Sequence, residues 1–166
     1  MRFIDDFFTT EIKIFKHKIP IFDMLFFTIL TCLGLYFRLT LFTVKSGDYV
    51  KAFADWMREC HAAGGFAYLG IKPGVSEAST FDYNCLFQYV IVILHYIGGS
   101  IPDIYLVKSV PVLFDFICAI TIFRIVYHVT DNNLTKSMMA YAVMMFLPTA
   151  VLNSAAWAQN DSIYTA

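Results

Sequence analysis

Asp48 lies in Lys45-Ser46-Gly47-Asp48-Tyr49, just past the end of a long apolar run. A carboxylate held at a membrane surface can accept the proton of an attacking hydroxyl as a general base. The position equally suits an N-cap or first-turn acid favoured by a helix dipole, and the two roles are compatible. Gly47 allows the backbone to turn sharply there. Lys108 and Asp115 stand seven residues apart inside another apolar run, two turns apart on one helix face. A charge at mid-membrane costs on the order of 2.5–3.5 kcal/mol, so both must face a polar interior. They either compensate one another or Arg38, or they hold a ligand phosphate.

Trp157, Gln159, Asn160 and Asp161 form a polar-aromatic patch after the last apolar run. It reads either as an interfacial Trp with loop polars or as part of a binding cleft. His95, inside an uncharged run, is expected as a hydrogen-bonded residue rather than a metal ligand. Cys32, Cys60, Cys85 and Cys118 form no CxxC or Cys/His cluster, which argues against a zinc site. Cys60 and Cys85 flank the main loop and are expected as free thiols, although they could pair in an oxidising compartment. Asn133-Leu134-Thr135 and Asn160-Asp161-Ser162 match the glycosylation acceptor pattern, a triplet common by chance.

The elements that position these residues are membrane elements. Of 166 residues, 58% are apolar and 15% charged, with 17 Phe and 10 Tyr. Soluble domains run at about 45–50% apolar and about 25% charged. A mean hydropathy of +0.62 points the same way. Disorder is excluded by this hydrophobicity, and nucleic-acid binding by 12 Lys+Arg against 13 Asp+Glu. The fold class expected is all-α integral membrane with about four transmembrane helices, at about 20 apolar residues each.

Residues 1–18 form a basic head, with Arg2, Lys13, Lys16, His17 and Lys18, that favours a cytoplasmic N-terminus. The spans are expected at 19–44, 83–102, 104–129 and 137–157. Residues 45–82 form the outer loop. Within it Tyr49, Val50, Phe53, Trp56, Met57 and Cys60 recur at helical spacing opposite Asp48, Lys51, Asp55, Arg58 and Glu59. That pattern predicts an interfacial helix with its aromatic side in the headgroups, ended by Gly64-Gly65. The chain stops in an apolar pattern at Ser-Ile-Tyr-Thr-Ala, which suggests a fragment of a longer protein.

Several pieces in this order resemble a known family. Ser46-Gly47-Asp48-Tyr49 is followed by a Trp56-containing amphipathic segment, Gly64-Gly65, and Phe81-Asp82-Tyr83-Asn84 before the second span. Ile104-Tyr105-Leu106-Val107-Lys108 with Pro111 and Asp115 occupies the third. Leu147-Pro148-Thr149 and Leu152-Asn153-Ser154-Ala155-Ala156-Trp157-Ala158-Gln159-Asn160-Asp161-Ser162-Ile163-Tyr164 come last. From about residue 25 onward the chain resembles the N-terminal part of bacterial GT-C membrane glycosyltransferases, those related to GPI-anchor mannosyltransferases and protein O-mannosyltransferases. It departs from them at Ala158, where the family usually has Gly, at Asn160, often Cys, and at Cys85, usually Pro.

The resemblance implies a transferase of the bacterial plasma membrane that moves a sugar from a polyprenyl-phosphate carrier to a glycan, lipid or protein acceptor on the outer face. The family's first-loop acid maps onto Asp48 as base for the acceptor hydroxyl. Lys108 and Arg38 are then the cations available to the lipid phosphate, with Gln159 and Asp161 on the acceptor side. No cofactor or metal is implied. The other reading is a non-catalytic module, a transporter part or interaction subunit, with Lys108 and Asp115 lining a pathway or contact.

Counting crossings creates a tension. Four full spans return Trp157 to Asp161 to the cytoplasm, opposite Asp48. Arg124, His128 and Lys136 favour an inside turn after the third span, which places the patch outside. One middle segment must then be re-entrant or incomplete, and Tyr83–Gly99, with Gln88 and His95, is expected to be that segment.

Overall fold

The computed structural model describes residues 11–14, 17–70 and 85–166. The element Phe81-Asp82-Tyr83-Asn84 and most of the basic head lie outside them. Two short strands, β1 (Glu11–Ile14) and β2 (His17–Pro20), pair antiparallel with Glu11 opposite Pro20. Every later described element is helical. Pro20 stands at the N-cap of α1 (Ile21–Thr40), which spans about 30 Å. A π-helical turn (Tyr49–Phe53) runs into α2 (Ala54–Ala63), and a 3-10 turn covers Phe66–Gly70. Then come α3 (Cys85–Gly98) and the longest helix, α4 (Asp103–Val129). The chain ends with α5 (Leu134–Phe146), α6 (Pro148–Val151), a second π-helical turn (Leu152–Ala156) and α7 (Asp161–Thr165).

Among the described residues two helices, α1 and α4, are long and apolar enough to cross a membrane, and α5 with Pro148–Ala156 makes a third if that bent pair is one span. This is a membrane protein. Four spans are expected from the sequence; the described part of α3 has 14 residues, about 21 Å, against a hydrocarbon layer of ~30 Å. The third span is bent by 46° at Leu147. Leu147 is extended (φ −60°, ψ 117°), as sterics with the ring of the following Pro148 require.

α1 and α4 run antiparallel and α5 runs beside α1. Phe27 meets Phe123 and Tyr141 near one end of the bundle, and Thr31 hydrogen-bonds the Tyr141 hydroxyl at 2.9 Å. Gly34 lets α5 approach α1, because a Cβ there would run into the flexible end of Met145. Only Gly34 and Arg38 of α1 are buried, while Phe22, Phe26, Ile29, Leu33 and Phe37 are exposed. Such a surface belongs against lipid tails or neighbouring helices.

The amphipathic helix forms where expected, and Gly64 in the left-handed region (φ 78°) ends it. Its aromatic face does not lie in headgroups. Phe53, Trp56, Met57 and Cys60 are completely buried in one cluster with Phe87, Ile91 and Val92 of α3 and Val107 of α4. The short α3 supplies the apolar partner that the lipid interface was expected to be.

Candidate functional site

The two charged positions inside the membrane run are satisfied within the bundle. Arg38 Nε donates to Asp115 Oδ2 at 3.0 Å, and both side chains are buried. Ser154 Oγ donates to the same oxygen at 2.6 Å. Arg38 Nη1 also donates to the carbonyls of Gly34 (3.1 Å) and Met145 (2.9 Å). Met145 precedes the break at Leu147-Pro148, where α5 has no following turn to take its carbonyls. Lys108 does the same for α1: its Nζ donates to the carbonyls of Leu41 at 3.0 Å and Val44 at 2.6 Å. Both cations thus sit at helix C-termini, where the dipole is negative and carbonyls lack their α-helical partners. Lys108 does not pair with Asp115, its neighbour on the helix face.

The cap ahead of the amphipathic helix is Ser46 rather than Asp48. Ser46 Oγ accepts from Tyr49 N at 3.1 Å and donates to the Trp157 carbonyl at 2.9 Å. Gly47 shows no left-handed φ and has open space where a Cβ would stand, so no sharp turn depends on it. Asp48 makes no cap hydrogen bond. Its Oδ2 instead accepts the side-chain amide of Gln159 at 3.0 Å. Among the described residues no donor reaches Oδ1, and the carboxylate is half-buried. That oxygen is free to accept from a hydroxyl.

Gln159 is aimed by an unusual turn. Ala158 is fully buried and holds φ at +62°, a region L-residues seldom occupy. The turn lets Gln159 N donate to the Asn153 carbonyl at 2.8 Å. Asn153 Nδ2 in turn donates to Asp161 Oδ2 at 3.2 Å. Ser162 Oγ donates to the carbonyl of Pro111 at 2.9 Å, fastening α7 to α4. Trp157 is half-exposed.

Asn153, Gln159, Asp161 and Ser162 border a cavity of about 150 Å³ whose wall also includes Asp115, Ser154 and the apolar Met144 and Ala150. The structure therefore brings Asp48, Gln159 and Asp161 to one end of the bundle. Arg38 reaches the cavity only through Asp115, and Lys108 stays with its carbonyls. The hydrogen bond between Asp48 and Gln159 holds the two segments at one end of the bundle; the residues that precede α3 lie outside the described ones. Asn153, Ser154 and Ser162 were not singled out as site residues, although all three stand in the last quoted motif. Both π-helical turns adjoin this end, one following Asp48 and the other preceding Trp157. Such turns recur at functional sites, where one extra residue re-aims the side chains that follow.

Outside the spans, burial pushes the Cys60 thiol up, against a weak opposing contact from its Sγ to the Gly65 carbonyl at 3.9 Å. Burial also raises the Tyr49 hydroxyl, with the Asp103 charge adding to it. Tyr68 is raised by burial and by Glu59, and donates to Gln88 at 2.7 Å. Cys60 is a free thiol, while the Cys85 side chain lies outside the described residues. Among the described residues no group of three or more His, Cys, Asp or Glu could hold a metal ion. No protein-family model, curated protein or solved structure matches the chain.

Proposed function

We propose that this chain is part of a membrane glycosyltransferase of the GT-C type, resident in a bacterial plasma membrane and acting on the outer face. In this reading Asp48 accepts the proton of an acceptor hydroxyl while a sugar leaves its polyprenyl-phosphate carrier. One observation carries it: a half-exposed carboxylate with one oxygen held by Gln159, itself a wall of the neighbouring cavity, and the other oxygen open. Orientation of that kind is what a general base requires. The ordered motif from Pro148 to Tyr164 adds the resemblance. Arg38 and Lys108 serve by holding the helix ends on which Asp48 and the patch are mounted.

The test is Asp48→Asn in the protein embedded in its membrane, assayed with a radiolabelled polyprenyl-phosphate sugar. Transfer should be lost while insertion and expression stay unchanged. Transfer at the parental rate would remove Asp48 as the base.

A further inference from the structure

At the end of the amphipathic helix three side chains from three helices meet in a line. His61 of α2 places Nε2 3.0 Å from Asp103 Oδ1 of α4, and its Nδ1 lies 2.7 Å from Nδ1 of His95 on α3. The imidazole rings stand 4.8 Å apart, and Tyr96 packs edge-on against His95 at 5.0 Å. The group is half-exposed, with His61 42% and Asp103 34% accessible. It contributes nothing to the Asp48 cavity.

Proton counting fixes the arrangement. A carboxylate only accepts, so Nε2 of His61 carries a hydrogen and, in the neutral ring, Nδ1 is a bare lone pair. His95 must therefore donate its Nδ1–H to it. This leaves Nε2 of His95 bare, and among the described residues it has no partner. The first added proton can go there without disturbing the line. A second would have to go on His61 Nδ1, where the N–H of His95 already points. Two donors cannot share a 2.7 Å contact, so the closed line holds one proton fewer than two separated imidazolium rings.

We infer that the contact between His61 and His95 is an acid-released latch that ties the amphipathic helix α2 to α3, while Asp103 holds His61 on α4 in both states. The doubly protonated pair fits only the open contact, so acid strong enough to charge both rings favours opening. Imidazole is the side chain suited to such a change between pH 5 and 8. Among the described residues, Tyr96 of α3 packs on His95 and Tyr49 of the π-helical turn lies within reach of the Asp103 charge, while Arg58 and Glu59 precede His61 on α2. Arg58 is paired with Asp55 at 2.6 Å. Gly64 and Gly65, both at positive φ, supply the joint beyond the released end. Opening exposes the last turn of α2 and loosens the cover over Cys60.

Hydrogen exchange on the full chain in lipid nanodiscs tests this. Amide exchange of residues 54–63 is compared at pH 7.5 and pH 4.5, after division by the intrinsic chemical rates. Roughly a tenfold rise in relative exchange is expected at pH 4.5, as the hydrogen bond between the two rings is lost. Amides in the middle of α4 should stay protected, which separates latch opening from general acid unfolding. His95→Gln should flatten the response, because a carboxamide can donate or accept toward His61 in either state. His61→Asn is the second variant, with the same flat profile expected. Equal protection of the parent at both pH values would overturn the inference, as would full acid loosening in the two variants.

Discussion

Gln159 donates its side-chain amide to Oδ2 of Asp48 across 3.0 Å, although the two are 111 residues apart in the chain. The bond joins the turn after α1 to the turn before α7, and the Ser46–Trp157 bond runs alongside it at 2.9 Å. Two parallel ties between the same pair of segments define the carboxylate's position better than either would alone. The free oxygen then has a set direction.

If Asp48 is the base, Gln159 is a positioning residue rather than an acceptor ligand. Gln159→Leu keeps the approximate shape and removes the donor. It should lower kcat about tenfold with little change in the acceptor KM, from the loss of one hydrogen bond that orients a charged group. Gln159→Glu should be worse, since it sets a second negative charge against Asp48. Transfer kinetics at several acceptor concentrations decide this, and a KM rise with kcat intact would return Gln159 to acceptor binding.

Arg38→Met should destabilise the bundle by about 3–5 kcal/mol, because it leaves Asp115 buried without its charge partner. Asp115→Asn should be milder, since Ser154 can still donate to the amide oxygen. The expected order in thermal unfolding in detergent is parent, then Asp115→Asn, then Arg38→Met. The double variant Arg38→Met with Asp115→Leu should recover part of the loss. It should not recover all of it, because the carbonyls of Gly34 and Met145 lose their donor as well.

Ala158 occupies a backbone region that costs an L-residue about 1–2 kcal/mol. Ala158→Gly relieves that strain and gives up one buried methyl, worth about 0.8 kcal/mol. The expected net effect is neutral to slightly stabilising, with transfer retained. Ala158→Val adds a branched side chain at positive φ in a fully buried place, and should unfold the turn. Loss of the Gln159–Asp48 bond then follows, and activity should fall with it. Thermal unfolding and transfer assays on both variants check the pair.

Alkaline pH should loosen the amphipathic helix. Burial raises the Cys60 thiol and the Tyr49 hydroxyl above their ordinary values of 9.0 and 10.0, so the folded state prefers the protonated forms. Their contribution is complete below the ordinary values and is lost as pH rises through the raised ones. Thermal stability should therefore decline from about pH 9 upward. Cys60→Ala combined with Tyr49→Phe should make that limb shallower, measured by melting curves between pH 8 and 11, with the buried Tyr68 hydroxyl accounting for the decline that remains.

Some of this was legible in the sequence. The hydrophobic runs announced α1 and α4, the spacing from Tyr49 to Cys60 announced α2, and Gly64 marked its end. Asp48, Gln159 and Asp161 carried local signals because dense polar groups beside apolar runs are rare. Pairing with Arg38 was one of the alternatives the buried charges offered, but the carbonyl contacts of Arg38 and Lys108 left no such signal. Their partners are mostly backbone carbonyls of other helices, and a carbonyl looks the same in every residue. Nor does the composition of the run from Cys85 to Gly98 say whether an apolar helix meets lipid or the aromatic face of a neighbour. The left-handed turn at Ala158 was hidden for a related reason: alanine usually signals an ordinary helix, and only tertiary packing forces it elsewhere.

The two π-helical turns carry a consequence for chain length. Each holds one residue more than an α-helical path over the same rise. Deleting Lys51 would let the turn relax to ordinary helix and recover better hydrogen-bond geometry. Yet it would rotate Asp48 by about 100° relative to Phe53 and Trp56. The carboxylate would then swing away from Gln159 while the buried stripe kept its seat. A shorter, better-bonded chain would be a worse-aimed one, so the extra residue acts as a phase setting between the buried stripe of α2 and the open end of the bundle.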